Sequence, residues 1–277
     1  LANKRRKEDK VASIPIFSVQ GKRPLPNGHI RPARLAEKRA GALFNDKFQD
    51  VLKRQRNGRE PGMPLQNRVD PFGAIHAVEA RGLFTGNRGV IHNPATKTLL
   101  SRRWTTKAWI ICECEFRGRR REVMGRNAPS GNAGWTELFF LDEVTALSAG
   151  HRPCFYCRRE RAKEFAGCYA DAFGIAGPRA TEIDARLHGE RLASGGAPQA
   201  VSRAEIANLP EGAMITAARR AFALHRGRLR EWDFKGWRRE SVAPAELNAN
   251  ARLLTPPTTV AVLRNGFRPI WHSSIGG

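Results

Sequence analysis

A Pro-Cys-x-x-Cys turn at residues 153–157 constrains this chain more than any other feature. A turn that leads into a helix N-terminus aims backbone N–H groups at the thiols of Cys154 and Cys157. Arg158 and Arg159 follow at once. Both effects lower thiol pKa and favour a metal ion. Zinc, the expected cofactor, takes four nitrogen or sulfur ligands in a tetrahedron, so the pair needs two more. Trp109 to Phe116 alternates apolar residues and reads as a strand. Cys112 and Cys114, spaced i, i+2 along it, are expected to share a face and to complete the set. His92 and His151 are the reserve ligands. Cys168, on the helix beyond the turn, reads as a small core residue. Two other readings of the Cys-x-x-Cys pair stay open. One is a redox dithiol, which normally follows a strand in a βαβ unit; the other is a pair of buried core thiols.

Charge narrows the class of partner. The 277 residues carry 48 Lys plus Arg against 26 Asp plus Glu, a net charge of +22. Such an excess repels itself unless a polyanion balances it, and nucleic acid is the expected polyanion. No amphipathic basic helix with a broad apolar face points to a membrane surface. No run of about 18 apolar residues is present, so no membrane-spanning helix is expected. Lys4-Arg5-Arg6-Lys7 is basic like the start of a signal segment, but the apolar stretch Val11 to Val19 is short and broken by Pro15. With five cysteines, an odd and sparse set, a secreted disulfide scaffold is not expected, and the chain reads as cytoplasmic.

The fold class expected is α+β: a small zinc-stabilised strand and helix module, a second small β-rich part, and a basic, partly disordered N-terminal arm. The arm spans 1–66. Its first 60 residues hold 16 Lys plus Arg and 6 Asp plus Glu, with one helix expected over 36–56. Residues 67–192 read as the zinc-binding domain. Within it, strands are expected near 73–84, 109–116 and 138–141. A helix is expected from an Asp142 cap to Ala149, stopped by Gly150; a second runs from Cys154 to Phe173 and a third from Thr181 to Leu192. Residues 193–277 read as a β-rich part with a hairpin turn at Arg226-Gly227-Arg228 and a final helix over 258–265. Two segments echo each other: Gly150-His151-Arg152-Pro153 and Gly266-Phe267-Arg268-Pro269 each follow a short helical run. Either one cap-and-turn device is used twice, or the likeness is chance.

The run from Phe140 to Arg158, with its Ala-Gly-His-Arg-Pro-Cys-x-x-Cys-Arg core, resembles the second half of the Ada-type metal-binding domain. The segment Gly86-Asn87-Arg88-Gly89-Val90-Ile91-His92-Asn93-Pro94 is similar to a variant opening of that module. The resemblance covers residues 84–160 and implies zinc ligation by Cys154 and Cys157. Thr96 stands where the variant has a cysteine, so the alkyl-accepting activity known in that family is not carried over. The Arg-Gly-Leu-Phe, Gly-Asn-Arg-Gly and Gly-His-Arg-Pro-Cys segments also resemble a family of uncharacterised bacterial proteins, which implies no function.

Arg117, Arg119, Arg120 and Arg121 leave the cysteine strand, and Arg152, Arg158 and Arg159 flank the Cys-x-x-Cys turn. A shared metal would bring these seven together as a patch for phosphate backbone, DNA more than RNA. Trp104, Trp109, Trp135 and Tyr156 are either base-stacking or core residues. Catalytic signals are thin. Asp184, His188 and Glu190 share one helix, His-x-Glu with Pro-Cys-x-x-Cys is similar to zinc deaminases in the reverse order, and His92 or His188 with Glu137 or Asp142 would suit a nuclease. The function expected is a zinc-stabilised nucleic-acid-binding protein. Its rivals are a metal-dependent nuclease or repair enzyme, and a structural component of a ribonucleoprotein.

Overall fold

The computed structural model describes residues 63–118, 121–247 and 250–276. The expected arm helix over 36–56 and nearly all of the arm lie outside them. The described residues form a mixed α+β unit, and all fall within one compact body, 51–277.

Eight short strands fill the first half: β1 (Gln66–Val69), β2 (Ile75–Ala77), β3 (Phe84–Asn87), β4 (His92–Asn93), β5 (Thr98–Leu99), β6 (Ile110–Glu113), β7 (Leu138–Phe140) and β8 (Arg152–Pro153). Six of them make the first sheet, in the order β2-β1-β7-β3-β6-β8, and β4 with β5 forms a separate two-stranded ribbon. Strand β3 lies between β6 and β7 and pairs antiparallel with both. Its Gly86 has no room for a side chain, since a Cβ there would lie 2.1 Å from the Ile110 carbonyl oxygen. The second sheet draws on β9 (Ala200–Val201), β10 (Met214–Ala217), β11 (Arg220–His225), β12 (Arg228–Asp233), β13 (Gly236–Val242) and β14 (Ala251–Leu253). It is antiparallel, in the order β13-β12-β11-β10-β14-β9. The expected hairpin turn joins β11 to β12; Arg226 and Gly227 both take positive φ, 49° and 73°, the geometry that matches strand twist in a two-residue loop.

Five α-helices cover these sheets among the described residues: α1 (Glu143–Ser148), α2 (Arg159–Phe173), α3 (Ala180–Glu190), α4 (Arg203–Ala207) and α5 (Pro257–Arg264). One hydrophobic core takes residues from both sheets and from the helices, including Phe140, Leu147, Phe165, Leu187, Phe222, Leu263 and Phe267. The two β-containing parts therefore share their apolar interior instead of each closing its own.

The sequence echo has the same geometry at both sites. Gly150 (φ 81°) follows α1; its N–H donates to the Leu147 carbonyl and the next N–H, of His151, to that of Ala146. Gly266 (φ 108°) follows α5; its N–H donates to Leu263 and the next, of Phe267, to Val262. Both are Schellman caps, in which a left-handed residue lets two amides close on the last carbonyls. His151 and Phe267, the residues after the glycines, are both fully buried.

Helix α1 joins the two sheets at its N-terminus. Asp142 caps it, accepting from the Thr145 N–H at 2.9 Å and the Thr145 hydroxyl at 2.8 Å. Its other oxygen accepts from Trp237 Nε1 of β13 at 2.8 Å and from the His272 N–H at 3.1 Å. Removing a buried carboxylate leaves those donors desolvated and unpaired, each costing about 1–3 kcal/mol. Asp142→Ala is thus expected to lower the unfolding free energy by about 3 kcal/mol or more in chemical denaturation. A loss under about 1 kcal/mol would mean that water replaces the carboxylate and that the link is not structural.

Candidate metal centre

Parallel pairing of β8 with β6 builds the site. Ile110 faces Arg152 and Ile111 faces Pro153. The Cys154 N–H then donates to the Ile111 carbonyl at 2.9 Å. In this register the residue after Pro153 lies beside the residue after Ile111, so Cys154 meets Cys112. Residues 154–157 form a tight turn, with the Arg158 N–H on the Cys154 carbonyl at 3.0 Å, and the turn brings Cys157 back to the pair. Helix α2 begins at Arg159, not at Cys154 as expected, because the turn occupies the intervening residues.

The Sγ atoms of Cys112, Cys154 and Cys157 all lie within 4.8 Å of one another. Zn–S bonds of about 2.3 Å at a tetrahedral angle set sulfurs about 3.8 Å apart, so the group fits a small thiophilic cation with little adjustment. The three thiols act on one another through hydrogen bonds. Cys154 is held well below the usual thiol range by hydrogen bonds from Cys112 and Cys157, helped by the N–H groups of Cys157 and Tyr156. Cys112 is pushed up by its bonds to Cys154 and Cys157 and by burial. Cys157 is lowered by its contact with Cys112 but raised overall by Cys154 and by burial, while the Glu113 N–H donates to it. Of the three, Cys154 is the thiol most favoured to ionise, and a cation held by the group would displace the remaining thiol protons.

A buried arginine fixes the turn. Arg158 pairs with Glu113 of β6 at 2.8 Å and with Glu143 of α1 at 2.7 Å, and its guanidinium covers the Phe84 ring at 4.2 Å. Glu143 is fully buried and also binds Arg161 at 2.9 Å and the Ile270 N–H at 2.9 Å. The cysteine strand, the turn and the C-terminal segment thus meet at two carboxylates and two guanidinium groups.

The three cysteines line a cavity of about 410 Å³ whose other walls include Asn87, Trp135, Glu137, Phe139 and Tyr156. At its rim the Arg121 guanidinium lies over Trp135 at 5.1 Å. Arg117 lies over Phe116 at 5.2 Å and over Tyr156 at 5.5 Å, and Tyr156 is 55% exposed. Burial raises the Glu137 pKa. Its carboxylate accepts from the Met124 N–H at 2.9 Å and from Asn127 at 3.2 Å, which ties the loop after β6 to β7.

Other expected site residues lie outside the three-sulfur group, although Cys114 lines the same cavity. Cys114 is not brought into the group: β6 ends at Glu113, the alternation stops there, and the exposed Cys114 thiol donates to the Leu83 carbonyl at 3.5 Å. His92 is buried against the Thr136 hydroxyl at 2.6 Å. His151 accepts from Arg88 Nε at 3.2 Å, and burial, with Arg88 and Arg191 beside it, keeps it neutral. The Gly-Asn-Arg-Gly and Gly-His-Arg-Pro-Cys segments therefore touch each other through Arg88 and His151. Arg88 and Arg191 both lie over the buried Trp109, at 4.0 and 4.5 Å, so this tryptophan is a core residue. Neither Arg88 nor Arg191 stands out in the sequence, because arginine is rarely fully buried.

Two of the expected phosphate-binding arginines are internal, which corrects that assignment. Arg152 is buried in a bidentate pair with Asp184 at 2.8 and 2.7 Å, and Arg158 is committed to Glu113 and Glu143. Arg117, Arg121 and Arg159 are exposed; Arg119 and Arg120 lie outside the described residues. The Asp184–His188 pair does not form either. Asp184 serves Arg152, His188 packs edge-on against Trp104 at 4.5 Å, and Glu190 accepts from the Thr258 N–H at 2.8 Å and its hydroxyl at 2.6 Å. Among the described residues no helix is long and apolar enough to cross a membrane.

Single Cys→Ser changes at 112, 154 or 157 are expected to lower cobalt(II) affinity at least about 100-fold in a reduced-protein titration, since each removes one thiolate. Cys168→Ser serves as the control and keeps full affinity. Retained binding in two of the three site variants would show that the trio is not the ligand set.

Comparison with family models, curated proteins and solved structures finds no match to this chain.

Proposed function

We propose that this chain is a zinc protein that binds nucleic acid, with Cys112, Cys154 and Cys157 as zinc ligands and the rim around them as the contact surface. The observation that carries the reading is the juxtaposition of the three sulfurs with an exposed belt of arginines and aromatic rings. Soft thiolates within 4.8 Å of one another suit zinc above calcium or magnesium. Arg117 and Arg121, each laid against aromatic rings, present cationic planes that suit phosphate, while Trp135 and Tyr156 offer faces on which bases stack. The net charge of +22 supplies the long-range attraction that such a surface needs. The Ada-type resemblance assigns Cys154 and Cys157 the same ligand role, and Cys112 joins them by geometry. Reduced thiols of this kind belong in a reducing compartment, in keeping with the cytoplasmic expectation.

Arg152 and Arg158 carry the fold, so the binding test falls on exposed groups. Arg117→Ala with Arg121→Ala is expected to weaken binding to duplex DNA of any sequence alike. The slope of log affinity against log salt should fall by about 0.9 for each phosphate that is no longer neutralised, with zinc content and thermal midpoint unchanged. Arg159→Ala, on the first turn of α2, should weaken binding further if the surface extends there. Unchanged affinity in the double variant would remove the rim from the binding surface. An effect confined to one base position would mean direct reading of the sequence.

A further inference from the structure

The chain supplies three ligands where zinc takes four. Among the described residues no further cysteine, histidine or carboxylate joins the group within its 4.8 Å spacing. Cys114, the nearest by sequence, lines the same cavity, but its thiol donates to the Leu83 carbonyl at 3.5 Å and it stays outside the group. The three cysteines, and Cys114 beside them, all line the same cavity of about 410 Å³, which gives an incoming fourth ligand a route to the sulfurs. Closed four-ligand sites are structural, whereas sites with three protein ligands keep the fourth for water or an incoming molecule. The cavity lies in the roughly 300–1,000 Å³ range of small-molecule sites. Its walls are unequal in a way that selects a ligand. Trp135, Phe139 and Tyr156 supply aromatic walls, Phe139 with Arg68 over its ring at 4.7 Å, while Asn87 and Glu137 add a few polar groups. Arg121, over Trp135, closes one side with positive charge.

We propose that the metal is an open, ligand-exchanging centre whose fourth ligand enters from this cavity, and that the cavity seats a flat nitrogen heterocycle of the nucleobase class with a ring nitrogen on the metal. This rests on the zinc reading above and deepens it: the rim holds the strand while the cavity takes one unstacked base. Without a base, water holds the fourth position. Such an arrangement distinguishes an accessible base from a stacked one, because a base inside a duplex cannot reach the metal.

Cobalt(II) replaces zinc in thiolate sites and reports their ligands through visible absorption, whose sulfur-to-cobalt charge-transfer intensity follows the number of bound thiolates. The full chain loaded with cobalt should show a tetrahedral three-thiolate spectrum. Azide, a small anion, and 1-methylcytosine, a nucleobase with one exposed ring nitrogen, should each shift its ligand-field bands saturably. Cys114→Ser should leave both intensity and shifts unchanged. Trp135→Ala should weaken 1-methylcytosine about tenfold, the effect of removing one stacking face, and leave azide as before. Charge-transfer intensity that drops in Cys114→Ser, or a spectrum indifferent to both probes, would establish a closed four-ligand site and overturn the inference while leaving the zinc reading standing. Azide binding without 1-methylcytosine binding would overturn the nucleobase assignment. No cobalt bound to reduced protein would remove the zinc reading and this inference together.

Discussion

Everything at the three-cysteine group depends on one backbone register, the parallel pairing of Arg152–Pro153 with Ile110–Ile111. The two residues of β8 do little as a strand on their own. Their placement decides which side chains follow them at the edge of the sheet, and it sets Cys154 beside Cys112. Parallel pairs are slanted and slightly weaker per residue than antiparallel ones, so a strand this short needs outside support. Arg158 gives it, by tying the turn to Glu113 on β6 and to Glu143 at the start of α1. The bond from Arg152 to Asp184 anchors β8 itself to α3. A buried charge carries a heavy penalty when its partner is removed, so these pairs hold the register in a narrow range on their own.

The same arginines change how the net charge of this chain is to be read. Arg88, Arg152, Arg158 and Arg191 are buried, and the fold uses them as stacking plates and as caps for carbonyls. Arg191, for example, donates to the Gly150 carbonyl at 2.6 Å, at the Schellman cap that precedes the cysteine turn. Burial, with the other arginine close by in the case of Arg88, lowers both Arg88 and Arg191 to about 9. Part of the positive charge is therefore structural, and among the described residues Arg117, Arg121 and Arg159 carry charge to solvent near the cysteines.

Legibility in the sequence follows whether a feature is local. Helix α1 with its Asp142 cap, the stop at Gly150, the hairpin turn at Arg226-Gly227 and the repeated glycine cap are set by neighbours in the chain, and the expectations for them agree with the structure. The start of α2 falls five residues later than expected because the amides near Cys154 serve a turn and not a helix. Placing Cys112 with Cys154 and Cys157 takes a contact between distant segments, and only the alternation of β6 hints at it. That alternation also puts Cys114 on the shared face, where the strand's end at Glu113 leaves it out. The partnership of Arg152 and Asp184 is hidden for the same reason. Each residue looks complete within its own segment, as a phosphate contact or as half of a helix pair with His188, and only the tertiary ion pair between β8 and α3 joins them.

The three sulfurs are the point on which the functional reading stands. X-ray absorption at the zinc edge, on protein prepared under reducing conditions and with zinc measured per chain, addresses them directly. One zinc per chain with three sulfur neighbours at about 2.3 Å and one nitrogen or oxygen donor at about 2.0–2.1 Å is the predicted result. Protein without zinc, or zinc with fewer than three sulfur neighbours, would contradict it.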